Sequence, residues 1–153
     1  MVTLDALEPF RVKGPNQEPP VLPYLEFVEP KNLDIHLEVL LQPENQEPVS
    51  VCQTNTKYLY WNMAQQLAHQ TSNGCNLQVG DLYASGTISG PAPGALGSLL
   101  ELTWKGTRPL PLPDGSERTF IQDGDSVIMR AFAETNGLRI GFGEVRTKVL
   151  PAL

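Results

Sequence analysis

The chain of 153 residues is poor in the two side chains that most often mark a site, with two cysteines and two histidines. Cys52 and Cys75 are too few for a disulfide framework or a structural zinc site. We therefore expect small, buried, apolar thiols in a reducing, cytoplasmic setting. With only His36 and His69 as imidazole bases, and no Gly-x-Ser-x-Gly elbow, the sequence also argues against a serine-type catalytic triad.

Excess basic charge and long apolar runs are also missing. The net charge is −6, so no basic patch is available for nucleic acid or an anionic membrane surface. No apolar run approaches the roughly 20 residues that span a bilayer, and the first residues lack the pattern of a secretory signal. A hydrophobic content of 41% with 18% charged residues is ordinary for a globular domain, which excludes wholesale disorder.

Prolines are abundant, and they concentrate at the start of the chain. Eight of the 14 prolines fall within the first 48 residues. Proline fixes its backbone and removes a donor, so we expect residues 1–32 to form an irregular lead-in. Such a start fits either a natural domain or a piece of a longer chain, and both interpretations stay open.

The remaining pattern predicts a mainly β chain with one main helix, an α+β fold. Alternation over 33–40 predicts the first strand, and residues 49–52 are expected to return beside it. An apolar stripe predicts a helix over 57–71, with Asn55 or Thr56 as its N-cap and Asn73-Gly74 at its end. After Gly80 we expect strands and turns, the strands at 81–89, 98–105, 118–121, 126–134 and 138–146, with Asn136-Gly137 as a hairpin turn.

Asp34, His36 and Glu38 share one face of the first predicted strand. Carboxylates and an imidazole at this spacing could hold a hard metal ion or zinc. Such sites usually draw ligands from several elements, and a solvated strand face has the same pattern. The spacing therefore favours the solvated face over a metal site.

Thr87 and Glu101 are the polar residues that most suggest a functional site. They lie among glycines and apolar side chains in the segment 73–104. Glycines let a backbone approach a ligand, and a carboxylate among leucines needs a partner once it is buried. In the strand predicted there, Glu101 shares a face with Leu99 and Thr103. If that face is buried, a histidine from elsewhere is a natural partner for the carboxylate. The alternative is a solvated glutamate on an exposed face, and the periodicity slightly favours this alternative.

The same segment resembles the signature of the fumarylacetoacetase family. The resemblance rests on Asn73-Gly74-Cys75-Asn76-Leu77, Gly80-Asp81-Leu82 and Ala84-Ser85-Gly86-Thr87-Ile88-Ser89-Gly90-Pro91. It continues through Glu101-Leu102-x-Trp104-Lys105-Gly106-Thr107, Asp123-Gly124-Asp125, Arg139-Ile140-Gly141-Phe142-Gly143 and Lys148-Val149-Leu150-Pro151-Ala152-Leu153. Covering essentially the whole chain, it implies that residues 1–153 are the C-terminal part of a fumarylacetoacetase catalytic domain, an incomplete mixed β-sandwich roll.

The resemblance also implies a reaction, the metal-dependent hydrolysis of a carbon–carbon bond in a β-diketo acid. Fumarylacetoacetate and water would give fumarate and acetoacetate, the last step of tyrosine and phenylalanine catabolism. In the family, Mg²⁺ or Ca²⁺ holds the diketone oxygens and a histidine removes a proton from water. Thr87 matches the family's substrate-contacting threonine, and Glu101 matches the glutamate that orients the histidine. Asp34, His36 and Glu38 become exposed strand positions.

The family's metal carboxylates, catalytic histidine, leaving-group lysine and N-terminal barrel domain all precede the segment that matches this chain. We therefore expect the chain alone to bind no Mg²⁺ or Ca²⁺ and to be inactive. The full-length enzyme is expected to be a homodimer. Two alternatives stay open: a non-catalytic β-rich binding or assembly module, and another activity of the family, such as acylpyruvate hydrolysis.

Overall fold

The computed structural model describes residues 1–28 and 31–152. The strands are β1 (Arg11–Val12), β2 (Asn32–Leu33), β3 (His36–Gln42), β4 (Val49–Asn55), β5 (Leu110–Pro111), β6 (Glu117–Arg118), β7 (Ser126–Thr135) and β8 (Leu138–Lys148). The α-helices are α1 (Leu4–Leu7), α2 (Met63–Thr71) and α3 (Leu99–Leu102). Strands β4, β3, β7 and β8 form, in that order, a four-stranded antiparallel sheet. The expectation of a mainly β, α+β fold is confirmed.

The central sheet contains the strands that alternation predicted best. In β3, His36 pairs with Asn55 of β4 on one side and with Phe132 of β7 on the other. The predicted hairpin joins β7 to β8, and Asn136 and Gly137 both have positive φ, 46° and 79°, as its turn requires. The register of this hairpin shifts between Arg130 and Phe132. Gly143, at φ 78°, lies opposite that shift, as expected for a glycine at a β-bulge.

The main core cluster lies at one end of this sheet. Leu7 of α1 and Phe10 of the following 3-10 turn pack against Leu33, Ile35 and Ala133, and each of these side chains is at most 6% exposed. The β1–β2 pairing ties the same segment to the chain just before β3. The first dozen residues therefore supply part of the core.

Helix α2 begins later than the apolar stripe predicted. Asn55 does cap a turn, but it is the short 3-10 turn Thr56–Tyr58, where its side chain accepts a hydrogen bond from the N–H of Lys57. The α-helix begins at Met63. Asn62 and Gln65 form a reciprocal capping box there, and this local chemistry sets the start of the helix.

The burial of α2 is the reverse of its apolar pattern. Met63 and Leu67 of the predicted stripe are 47% and 36% exposed, whereas Gln65 is 2% exposed. The amide of Gln65 donates to the carbonyl of Leu25 at 2.7 Å and exchanges hydrogen bonds with Gln17. A buried amide stays satisfied this way, and the network joins the proline-rich lead-in to α2.

Three strand predictions after Gly80 are wrong. Residues 81–89 form no helix or strand, and most of them are exposed. Residues 98–105 contain the helix α3 instead of a strand. Of 118–121, only Arg118 lies in a strand, the two-residue β6. Cys75, expected to be buried, is exposed, while Cys52 is buried as expected.

Within residues 1–28 and 31–152, no helix is long and apolar enough to cross a membrane.

Candidate active site

A tight turn brings the segments that carry Thr87 and Glu101 together. The N–H of Gly90 donates to the carbonyl of Ala95 at 2.7 Å, and a 3-10 turn over Pro93–Ala95 reverses the chain between them. The side chain of Ala95 is 3% exposed, which anchors the turn in the fold. Residues 87–89 consequently run beside residues 97 and 98.

Gly97 packs closely against residues 87–89. A Cβ atom at Gly97 would lie 2.5 Å from the carbonyl oxygen of Ile88 and 2.8 Å from Cγ2 of Thr87. A side chain at position 97 would therefore have to displace the backbone beside Thr87. The N–H of Gly97 donates to Oγ of Ser89 at 3.0 Å.

Glu101 lies in the first turn of α3, where two serine hydroxyls bind its carboxylate. Ser98 is the N-cap: its Oγ accepts from the N–H of Glu101 at 3.2 Å and donates to Oε2 at 2.8 Å. The hydroxyl of Ser89 lies 2.9 Å from both Oε1 and Oε2. The expectation that Glu101 lies on a strand face with Leu99 and Thr103 is wrong, because Ser98-x-x-Glu101 starts a helix.

Next to α3 lies an apolar cleft of about 450 Å³. The walls of the cleft include Val39, Leu41, Cys52, Leu99, Leu102 and Met129. Burial raises the pKa of the Cys52 thiol, and the negative charge of Glu101 raises it further. Glu101 and Thr87 themselves are exposed in the described chain. The carboxylate is thus solvent-accessible but fixed by two hydroxyl groups.

The strand face considered as a metal site is occupied by ordinary polar contacts. Oδ1 of Asp34 accepts from the amide of Asn55 at 2.6 Å and lies 3.6 Å from Nζ of Lys57. Nε2 of His36 is 3.7 Å from the same oxygen, and Glu38 accepts from a glutamine on β4. Across the described ranges, no three or more His, Cys, Asp or Glu side chains are grouped so that they could hold a metal ion.

Sequence reasoning named Thr87 and Glu101 but did not identify Ser89 and Ser98 as the partners of Glu101. Ser98 could have been found, since Ser-x-x-Glu is the signature of a capping box. Ser89 is twelve residues from Glu101, and no local pattern reports a contact of that range. The second histidine, His69, lies on α2 with Nδ1 3.1 Å from the hydroxyl of Tyr24.

The fold and the candidate site together describe one class of protein. It is an α+β domain with an antiparallel sheet, and its polar site lies where a glycine- and serine-rich turn meets the start of α3. Residues 5–150 match the family model described as fumarylacetoacetate (FAA) hydrolase, C-terminal. The chain belongs to this family, and the resemblance found in the sequence is confirmed.

Three relatives illustrate the match. The chain is 53% identical to fumarylacetoacetase of Homo sapiens, 52% to that of Caenorhabditis elegans and 51% to that of Oryza sativa subsp. japonica, each over 154 residues. These matches cover 100%, 99% and 100% of this chain, but 37%, 36% and 36% of the relatives. The chain spans little more than a third of the length of these proteins.

Proposed function

We propose that this chain serves in a fumarylacetoacetase-type hydrolase, which adds water to fumarylacetoacetate and releases fumarate and acetoacetate. The observation that carries the proposal is the carboxylate of Glu101, fixed by two serine hydroxyls and joined through Gly97 to the segment of Thr87. Identity of about half the residues to fumarylacetoacetases supports it. The proposal includes a cytoplasmic setting, with which the two free cysteines are compatible.

In the proposed reaction, Glu101 accepts a hydrogen bond from the imidazole N–H of a histidine elsewhere in the enzyme. The negative charge then favours the imidazolium that forms when this histidine takes a proton from water. Hydroxide adds to the carbonyl carbon, the carbon–carbon bond breaks, and its electron pair leaves with acetoacetate, which is then protonated. Thr87, an exposed residue, contacts the substrate.

A divalent cation belongs to the family's chemistry, but the described residues of this chain do not fit one. Asp34, the best-placed carboxylate among the three polar residues considered on the first strand, is already engaged by an amide and a lysine. No step of the proposed reaction therefore runs through a metal held by this chain. Binding of Mg²⁺ or Ca²⁺, and assembly into a homodimer, are proposed for the full-length enzyme.

The function is tested by following fumarylacetoacetate hydrolysis with added Mg²⁺ or Ca²⁺, in the isolated chain and in the enzyme at its natural length. We expect no metal-dependent turnover by the isolated chain. In the full-length enzyme, Glu101→Gln should lower kcat by about 100-fold or more, since an uncharged amide cannot stabilise an imidazolium. Glutamine still suits the third position of a capping box, so α3 should stay folded.

The matched control is Glu117→Gln, which removes an exposed carboxylate on β6 and should leave kcat unchanged. Turnover by the isolated chain would contradict the expected inactivity. Full activity in the Glu101→Gln enzyme would contradict the role given to this carboxylate. Absence of hydrolysis by the unmodified full-length enzyme would contradict the reaction itself.

A non-catalytic assembly module is the second candidate, favoured by the apolar side chains that the chain exposes. Val79 and Leu82 in the segment after α2 are about as exposed as in an extended chain, at 109% and 97%. Size-exclusion chromatography and thermal melting of the isolated chain discriminate between the candidates. A stable monomer or dimer supports the module, whereas aggregation supports a part that needs the rest of the enzyme.

A further inference from the structure

Ser89 makes an unusual contact, because one hydroxyl group lies 2.9 Å from both oxygens of the Glu101 carboxylate. A serine hydroxyl has one proton to donate and two lone pairs. The N–H of Gly97 occupies a lone pair at 3.0 Å, so the hydroxyl is fixed as an acceptor on that side. Its single proton is then directed at the carboxylate, and the amide polarises the O–H bond in the direction that strengthens this hydrogen bond.

The other serines nearby show that this arrangement is specific to Ser89. Ser98 also donates to Glu101, but as the N-cap it is required by α3 itself. Ser85, four residues before Ser89, donates only to the carbonyl of Gly86, at 3.2 Å. The Ser89 contact therefore joins the turn that carries Thr87 to the helix that carries Glu101.

The geometry points to Ser89 as a positioning residue for Glu101, an inference that rests on the proposed function. An ionised carboxylate has about four acceptor sites. The Ser98 proton occupies one of them, and the single Ser89 proton, shared between the two oxygens, occupies at most two more. One site stays available on an exposed group, which suits the N–H of an imidazole. Ser89 holds the carboxylate in a single orientation, so that this site faces the histidine that the reaction uses.

The test is a double-mutant cycle of Ser89→Ala and Glu101→Gln in the full-length enzyme, with kcat and KM measured for fumarylacetoacetate. Ser89→Ala should lower kcat about tenfold, as losses of outer-shell partners do, with KM little changed. In the Glu101→Gln background, the same substitution should cost no further activity, because Ser89 acts through the carboxylate. Ser89→Thr keeps the hydroxyl and should restore kcat to within a few-fold.

The control is Ser116→Ala, which removes another serine-to-carboxylate hydrogen bond, to Asp114 at 2.7 Å, in an exposed turn. It should leave kcat unchanged. The melting temperatures of the same single and double variants should also be non-additive, because Ser89 and Glu101 are in contact. Multiplicative kcat losses, a loss expressed mainly in KM, or failure of Ser89→Thr to restore kcat would each overturn the inference. These results leave the proposed reaction standing, whereas no turnover by the unmodified enzyme overturns that reaction and this inference with it.

Discussion

Replacing Gly97 with alanine should uncouple the two halves of the candidate site. The added Cβ would meet the carbonyl oxygen of Ile88 at 2.5 Å and the methyl group of Thr87 at 2.8 Å. The first atom belongs to the backbone, so it cannot rotate away like the tip of a flexible side chain. Relief requires the segments 87–89 and 97–98 to separate.

The size of that separation follows from the contact distance. Ordinary contacts of a Cβ begin near 3.4 Å, so one segment must move by about 0.9 Å (3.4 minus 2.5). Overpacking of this kind costs about 1–3 kcal/mol of stability. Displacement of catalytic groups by about 1 Å costs on the order of 100-fold in rate. The same movement weakens the hydrogen bond from the Gly97 N–H to Ser89, so Thr87 and Glu101 are affected together.

Gly94→Ala in the full-length enzyme is the matched control, because a Cβ at Gly94 has no atom within 4 Å. Alanine there should be neutral or stabilising by up to about 1 kcal/mol, since it restricts the unfolded chain. For Gly97→Ala we expect a kcat about 100-fold below the parent and a lower melting temperature. Equal kcat values for Gly97→Ala and Gly94→Ala would contradict this prediction, because the close contact at Gly97 would then have no effect on catalysis.

Two further predictions concern the ion pair of Asp125 and Arg118. Oδ1 and Oδ2 of Asp125 accept hydrogen bonds from the guanidinium at 3.0 and 2.9 Å. The side chain of Asp125 is 1% exposed and that of Arg118 is 12% exposed. Asp125→Asn should lower the free energy of unfolding by about 3 kcal/mol, measured by urea unfolding followed by circular dichroism, because it leaves a buried guanidinium without its carboxylate. The control Glu134→Gln breaks an exposed ion pair and should lower it by less than about 1 kcal/mol. Equal losses in the two variants would contradict this prediction. Burial alone would raise the pKa of the Asp125 carboxyl, but the bonds from Arg118 and the Gln122 N–H outweigh it and hold the pKa below its ordinary value. The ion pair therefore contributes fully to stability above the pKa of Asp125 in the unfolded chain, near 4, and this contribution is lost as the pH falls through its pKa in the folded chain. Asp125→Asn should accordingly flatten the dependence of the free energy of unfolding on pH below about pH 4. An unchanged pH dependence in this range would contradict the role given to Asp125.

The parts of the fold that were predictable are those fixed by local pattern. Alternation over 33–40 predicted strand β3, although the strand runs from His36 to Gln42. Asn136-Gly137 predicted the β7–β8 hairpin, because both residues accept positive φ. Residues 99–104 also alternate, yet they begin a helix, because Ser98 and Glu101 satisfy each other at its first turn. Here a capping signal outweighs a periodic one.

The candidate site could be predicted only in part, for a different physical reason. The glycines and apolar residues around Thr87 and Glu101 marked them as candidates, and the family resemblance gave them their roles, whereas periodicity slightly favoured a solvated glutamate. The contact of Ser89 with Glu101 depends on the turn at Gly90 and on the close packing of Gly97. Both are products of the folded chain. The burial of Gln65 in place of Met63 and Leu67 has the same origin, since its amide partners come from the lead-in.

Strand β8 lies at an edge of the central sheet, where a further strand could add. Among the described strands of the central sheet it has a neighbour on one side only, β7, and a free edge of this kind can template intermolecular strand addition. Its eleven residues include charges of both signs, on Arg139, Glu144, Arg146 and Lys148, and the bulge at Gly143 breaks its regular spacing. An incoming strand would meet these charges and an interrupted ladder of backbone groups, and both features oppose strand addition at a sheet edge.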